Sequence, residues 1–261
     1  MRILGIESSS LVASVALVTD DVLTAEYTMN FKKTHSQTLF PMLDEIANML
    51  ELDLNTIDAI AVAAGPGSFT GLRIGSATGK GLGLALKKPL IHIPTVDAMA
   101  YNLYGCPDLI CPIMDARRNQ VYTGLYRFRR ELETVKEQTP MDMGELIGEL
   151  NARGERVIFL GDGVPVYRAM IEEKMTAEYD FAPPHVNRQR AASVAALGAV
   201  YFAQGKTESA AEHVPDYLRK SQAERELDAA RADKEKMQAL ASGHVPEEIS
   251  LNVSAKKEIN S

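Results

Sequence analysis

Residues 57–83 read IDAIAVAAGPGSFTGLRIGSATGKGLG. Ile57 to Ala64 is a continuous run of small apolar residues, which predicts a strand buried on both faces. Gly65-Pro66-Gly67 ends the strand, and a helix is expected from Thr70 to Lys87. A strand that ends in Gly-Pro-Gly at a helix N-terminus gathers backbone N–H groups near one point. Gly65, Gly67 and Ser68 there suit an anion or a partner carboxylate, and equally a plain glycine turn with Ser68 or Thr70 as N-cap. Inside the helix, Gly71, Gly75, Gly79 and Gly83 recur every fourth residue, with Gly81 beside them. Each interior glycine costs a helix about 1 kcal/mol relative to alanine, so something must approach that stripe closely. The chain's own sheet, the preceding helix and a helix from a partner subunit all meet that requirement.

Two familiar phosphate motifs fail on spacing. A dinucleotide fingerprint needs glycine at position 70, where Thr70 stands. A P-loop ending at Gly79-Lys80 needs glycine at position 74 and a hydroxyl residue at 81, where Ile74 and Gly81 stand.

Outward from this block, residues 2–7, 11–18 and 22–29 read as three strands joined by a serine-rich turn and by Asp20-Asp21. Ser36 to Glu51 has helical period, with apolar Leu39, Met42, Leu43, Ile46, Met49 and Leu50. Pro89 to Ile93 is another strand. A three-strand meander followed by helix, strand, helix and strand is the repeating unit of the actin, hexokinase and Hsp70 folds. The second half repeats the plan in reduced form. It has strands at 110–114, 121–128, 132–138 and 156–160, and helices at 141–152, 164–174 and 191–204. The expected division is an actin-like domain over 1–100, a reduced second one over 101–221, and a tail over 222–261. That tail reads as a solvated helix to about Leu240 and then frayed.

Composition narrows the function classes. A net charge of −7 disfavours independent tight binding to nucleic acid. Arg117, Arg118, Arg127, Arg129 and Arg130 read as a solvated hairpin face. Cys106 and Cys111 read as reduced thiols. Neither a signal peptide nor an apolar run of membrane-spanning length is apparent, so a cytoplasmic protein with no membrane partner is expected. The histidines, His35, His92, His185, His213 and His244, include no pair three to five residues apart, so no metal is expected. His35, between Thr34 and Ser36, reads as orienting a helix start. A Gly-x-Ser-x-Gly elbow is also missing, which argues against a peptidase. Glu7, Asp115 and Asp162 stand where actin-like kinases place acids around magnesium-phosphate, with Gly161 and Gly163 flanking the last, although all are ordinary turn residues too.

Together these stretches resemble the TsaB (YeaZ) family. The resemblance is carried by Ile3 to Ser9 and its meander, Thr34-His35-Ser36 with Leu39 and Pro41, and the Gly65-to-Gly83 block. Asp115-Ala116-Arg117-Arg118 with Val121-Tyr122, Gly161-Asp162-Gly163 and Val214 to Arg219 complete it, over about residues 1–225. It implies an α/β, actin-like, ribonuclease H-like fold of two lobes with a truncated second domain. It also implies a part in placing a threonylcarbamoyl group on the adenosine beside the tRNA anticodon. The implied role is a non-catalytic subunit that pairs with a TsaD-like catalytic paralogue, recruits a TsaE-like ATPase, and meets tRNA only through the complex. A homodimer is the implied alternative when the chain is alone. No cofactor is required, and ATP or ADP would bind weakly at the complex interface. The implied partner surface is Leu39, Met42, Leu43, Ile46 and Met49 with Gly71, Gly75, Gly79 and Gly83. Glu7, Gly65, Gly67, Ser68, Asp115, Gly161, Asp162 and Gly163 would form a vestigial nucleotide or anion site. The catalytic relative carries a His-x-x-x-His metal pair after the strand equivalent to 89–93, where this chain reads His92-Ile93-Pro94-Thr95-Val96. Family members commonly have Asp-Thr-Ser where Glu7-Ser8-Ser9 stands. The rival expectation is an autonomous ATPase or small-molecule kinase that uses the three acids.

Overall fold

The computed structural model describes residues 1–218 and Arg231, so the tail expected over 222–261 lies outside the described residues except at that position. Residues 1–218 fall in one compact unit. The meander forms as expected: β1 (Arg2–Glu7), β2 (Val12–Thr19) and β3 (Val22–Asn30) are antiparallel neighbours. Then come α1 (His35–Met49), β4 (Ala59–Gly65), α2 (Phe69–Leu86) and β5 (Leu90–Pro94). β4 joins β1 in parallel and β5 joins β4, giving the order β3-β2-β1-β4-β5. A parallel sheet must be covered on both sides. Alternate residues of β4 do this: Ile60 and Val62 face α1 and α2, while Ala59, Ala61 and Ala63 face α6 (Ala191–Ala203).

The second sheet repeats the arrangement. Its strands are β6 (Leu109–Asp115), β7 (Gln120–Phe128), β8 (Leu132–Asp142), β9 (Val157–Leu160) and β10 (Tyr179–Phe181), in the order β10-β9-β6-β7-β8. One face packs on α4 (Met143–Arg153) and α5 (Gly163–Lys174) through Leu146, Ile147, Tyr167 and Ile171. The other packs on α3 (Thr95–Tyr101) through Val96 and Met99. Asp142 starts α4 by accepting the Gly144 N–H at 2.8 Å. Cys111 is buried in β6 and Cys106 is half-buried, both as free thiols. Among the described residues, no helix is long and apolar enough to cross a membrane.

Two elements carried no readable signal. α3 is only seven residues long and buried from Thr95 to Ala100, so it lacks the polar face that reveals a helical period. β10 is three residues, too short to show alternation.

The glycine stripe of α2 faces inward. A Cβ on Gly79 would lie 2.6 Å from Val62 Cγ2, and one on Gly83 would meet Leu90 Cδ1 at 2.5 Å and Ala210 Cβ at 2.9 Å. Added carbons at Gly71 and Gly75 would run into the Ser8 carbonyl and hydroxyl. The expectation that these four glycines form a partner surface is therefore corrected, because the chain's own β1, β4 and β5 occupy that face. The same holds for Leu39, Met42, Leu43 and Ile46, which lie in the core beneath α1, with Leu39 only 1% exposed. Met49 alone of the α1 set is open, at 77%. The helical period of α1 marks its buried face.

This geometry separates two glycines of one helix. Gly79→Leu forces a side chain into the sheet and should cost several kcal/mol, about 1–3 or more for overpacking, despite the better helix propensity. Gly81 has nothing within 4 Å of its Cβ direction, so Gly81→Ala should gain about 1 kcal/mol. Urea denaturation of both variants measures this. A Gly79→Leu protein as stable as the parent would contradict the inward packing.

Candidate functional site

The expected acids sit at the ends of parallel-sheet strands and at one helix start. Glu7 ends β1, Asp115 ends β6, and Asp162 precedes α5 as its N-cap residue. Each carboxylate acts electrostatically on the next: Asp162 raises the pKa of Glu7, and Asp115 raises that of Asp162. Glu7, Asp162 and Asp115 are thus electrostatic neighbours, an acid row in that order.

Glu7 is 1% exposed. Its Oε1 accepts the Ser9 N–H at 2.6 Å and the Ser9 hydroxyl at 2.5 Å. Burial nonetheless dominates and pushes the carboxyl up from 4.5 to about 7, with Asp162 adding to the rise. Asp162 is half-buried and accepts from Gln189 Nε2 at 2.8 Å. Its pKa is also raised by burial, against the pull of Gln189 and Arg188. Arg188 donates to the Gly161 carbonyl at 3.0 Å. Asp115 Oδ1 accepts the Arg117 N–H at 2.8 Å and the Tyr167 hydroxyl at 3.2 Å. Burial, then Asp115, drives the Tyr167 phenol up to about 12. Arg117, Arg118 and Asn119 all have positive φ, of 62°, 55° and 60°. A left-handed residue other than glycine costs about 1–2 kcal/mol, so this hairpin tip is strained beside Asp115.

Gly161 and Gly163 are tight because Ile113 of β6 presses on both. Gly161 also has φ of 111°, which a side chain rarely tolerates.

The Gly65–Ser68 turn does not form an open anion cradle. Ser68 N–H donates to the Ser9 carbonyl at 2.6 Å, and Ser68 Oγ accepts the Gly71 N–H at 3.3 Å. Gly67 packs on Ser9, and Gly65 on the Asp216 backbone. The expected anion at this point is corrected on that ground: the chain's own β1–β2 turn fills the place. In the row itself, Glu7 Oε1 already accepts two hydrogen bonds from Ser9.

His35 Nε2 meets the Ser10 carbonyl at 2.8 Å, tying the start of α1 to the same turn, as its position between Thr34 and Ser36 suggests. Of the arginine group, Arg127 pairs with Glu155, and Arg129 with Glu133 at 3.4 Å. Sequence reasoning missed Ser9, Tyr167, Arg188 and Gln189. Nothing in their local spacing marks them, because each reaches the row only through the tertiary fold. It also missed a cluster of His92, Glu208 and His213, whose ligand atoms all lie within 4.8 Å of one another.

The family model described as "TsaD: tRNA N6-adenosine threonylcarbamoyltransferase" matches residues 25–227. The chain is 34% identical over 228 residues to "tRNA threonylcarbamoyladenosine biosynthesis protein TsaB" of Bacillus subtilis, covering 86% of this chain and 96% of that protein. It is 31% identical over 237 residues to the protein of the same name from Haemophilus influenzae, covering 84% and 94%. Among solved structures, YeaZ from Pseudomonas aeruginosa superimposes with a TM-score of 0.68 at 23% identity, covering 83% of this chain and 99% of that one. That likeness, with the two sheets and their order, shows the actin-like α/β fold.

The buried Glu7 gives a pH signature. Its folded-state pKa lies above 4.5, so the folded chain holds the proton longer than the unfolded one. Stability from this group is full at low pH and falls as pH rises from about 4.5 through about 7. Glu7→Gln keeps an oxygen for Ser9 and removes the ionisation. Its stability relative to the parent should rise between about pH 5 and pH 8, by up to about 3 kcal/mol. Urea midpoints across that range measure the difference, and parallel curves for the two proteins would contradict a protonated Glu7.

Proposed function

Because the chain belongs to the TsaB family and takes part in tRNA threonylcarbamoyladenosine biosynthesis, we propose that it does so as the non-catalytic subunit. In this reading it pairs with a TsaD-like paralogue in the cytoplasm, recruits a TsaE-like ATPase, and meets tRNA only within the complex. The observation that carries the reading is the outward face of α1 and α2. Both helices cover one face of the first sheet, so their outer sides form a single surface. On α1 it offers Phe40 at 58% exposure with Pro41 exposed, and on α2 Leu84 at 62% with Ala77, Gly81 and Ala85 exposed. Small side chains on an exposed helix let another helix approach closely, and exposed aromatic and leucine side chains supply its apolar contact.

The absence of turnover by the chain alone is supported by its acids. Glu7 is buried and bonded to Ser9, and the turn beside it is filled by the Ser9 backbone. The stretch His92-Ile93-Pro94-Thr95-Val96 lacks the second histidine of the catalytic relative's pair. No cofactor is required, and ATP or ADP is held weakly where the two subunits meet. An autonomous ATPase draws no comparable support from these acids.

Leu84→Glu and Phe40→Glu change exposed positions, so both variants should fold with melting temperatures close to the parent's. Pairing with the TsaD-like subunit should weaken at least about tenfold, as expected for an apolar anchor. Size-exclusion chromatography of the mixture reads the pairing. Nucleoside mass spectrometry of depleted cells carrying each variant reads the modification, which should fall with it. Normal pairing by both variants would place the interface elsewhere.

A further inference from the structure

Residues 208–217 form a strap that neither the acid row nor the helical face uses. It starts on the free edge of β5, where Leu90 and Glu208 exchange two backbone hydrogen bonds of 2.9 Å. It reaches the end of β4, where Asp216 N–H donates to the Ala64 carbonyl at 2.7 Å. Beyond that, Tyr217 stacks on Phe69 at 4.7 Å and accepts from Arg73 Nε at 3.3 Å. Under this strap sit two imidazoles and two carboxylates. His213 Nδ1 lies 2.6 Å from Glu208 Oε1, the same oxygen lies 3.8 Å from His92 Nδ1, and His92 Nε2 lies 2.8 Å from Asp216 Oδ2. Lys80 stands at the α2 side, but its ammonium donates to the Ala211 and His213 carbonyls at 3.0 and 2.9 Å.

One atom in the group is unsatisfied. His213 is fully buried, and its Nε2 has no hydrogen-bond partner. With Nδ1 donating to Glu208, Nε2 is a bare lone pair in the interior, which costs about 1–3 kcal/mol, so hydrogen bonding alone does not satisfy the ring in this place.

We propose that His92, Glu208 and His213 bind one divalent cation of the zinc class through His92 Nδ1, Glu208 Oε1 and His213 Nδ1, and that this ion clamps the strap to β5, while Asp216 holds the other nitrogen of His92 as an outer carboxylate. Two imidazoles select zinc or a neighbouring transition metal over magnesium or calcium, which take oxygen shells. Bonds of about 2.1 Å in a tetrahedral shell put ligand atoms roughly 3.4 Å apart. The His213 Nδ1 and His92 Nδ1 atoms lie 2.6 and 3.8 Å from Glu208 Oε1, each within about 1 Å of that value. A cation would thus replace the hydrogen-bonding protons with little movement of the chain. The site is independent of subunit pairing, since its residues lie on the β5 edge and the strap.

The test uses the full chain without a histidine tag, stripped with chelator and titrated with zinc and, separately, cobalt. One equivalent should bind, cobalt should show the intense visible bands of a tetrahedral site, and zinc should raise the melting temperature. His92→Gln and Glu208→Gln change half-exposed ligands rather than buried His213, so both should fold. In metal-free buffer their melting temperatures should stay near the parent's, and each should lose at least tenfold in affinity and the zinc-induced rise. Failure of the parent to bind, a cobalt spectrum without tetrahedral bands, or undiminished binding in both variants would each overturn the site.

Discussion

Along one side of α2 the helix backbone meets β1, β4 and β5 with no room for a Cβ at Gly71, Gly75, Gly79 or Gly83. That approach sets more than the packing of one helix. At its N-terminal end the stripe rests on Ser8, whose hydroxyl donates to the Gly71 carbonyl at 2.9 Å, and Ser68 takes the Ser9 carbonyl. The β1–β2 turn is thereby held, and with it the two Ser9 bonds that hold Glu7. At the C-terminal end the stripe rests on Leu90 and Ala210, so the strap begins where the helix leaves off. The four interior glycines cost the helix about 4 kcal/mol in propensity. Burial of Ile60, Val62, Leu82 and Leu90 in the layer so formed offsets that cost, since a single such side chain is worth about 1.5–3 kcal/mol.

The opposite side of α2 has no such internal explanation. Ala77, Gly81 and Ala85 stand four apart on an exposed surface where glutamate or lysine would serve solubility and helix propensity better. An inner stripe of glycine and an outer one of small residues make α2 a thin spacer between the sheet and whatever meets its outer face. Close approach is therefore required on the inside and permitted on the outside. A helix against this face can sit near the axis of α2, where Leu84 is exposed on the same helix.

How much of this was legible depended on whether the signal was local. The meander, the two following strands and helices, and the reduced repeat were readable, because periodicity and Gly-Pro punctuation act within a few residues. The three acids were readable as residues at strand ends and a helix start, because turn chemistry marks those places locally. The period of the glycine stripe was plain in the sequence, but its direction was not, since a four-residue repeat marks a face without saying what lies against it. The apolar period of α1 pointed to Leu39, Met42, Leu43 and Ile46, and burial claims those residues first. The surface available to a partner is then the remainder, Phe40 and Met49 among it. His92 and His213 escaped a spacing search for a plain reason: the edge of β5 and a strap beginning at Glu208 bring them together across the intervening chain.

Glu7 and His213, both buried, differ in what each lacks. A carboxyl in the acid row can neutralise itself by keeping a proton, and burial drives Glu7 to do so near neutrality. It then bonds to Ser9 as an ordinary member of the core and asks for no counter-ion. His213 has no such exit. Its ring is already neutral with one proton, and a second on Nε2 would create a buried cation. Burial opposes that charge, as do His92 and Lys80, and only the Glu208 carboxylate favours it. Nε2 is left without a partner. Glu7 offsets its burial with a proton, whereas the His213 ring is held through its Nδ1 bond to Glu208.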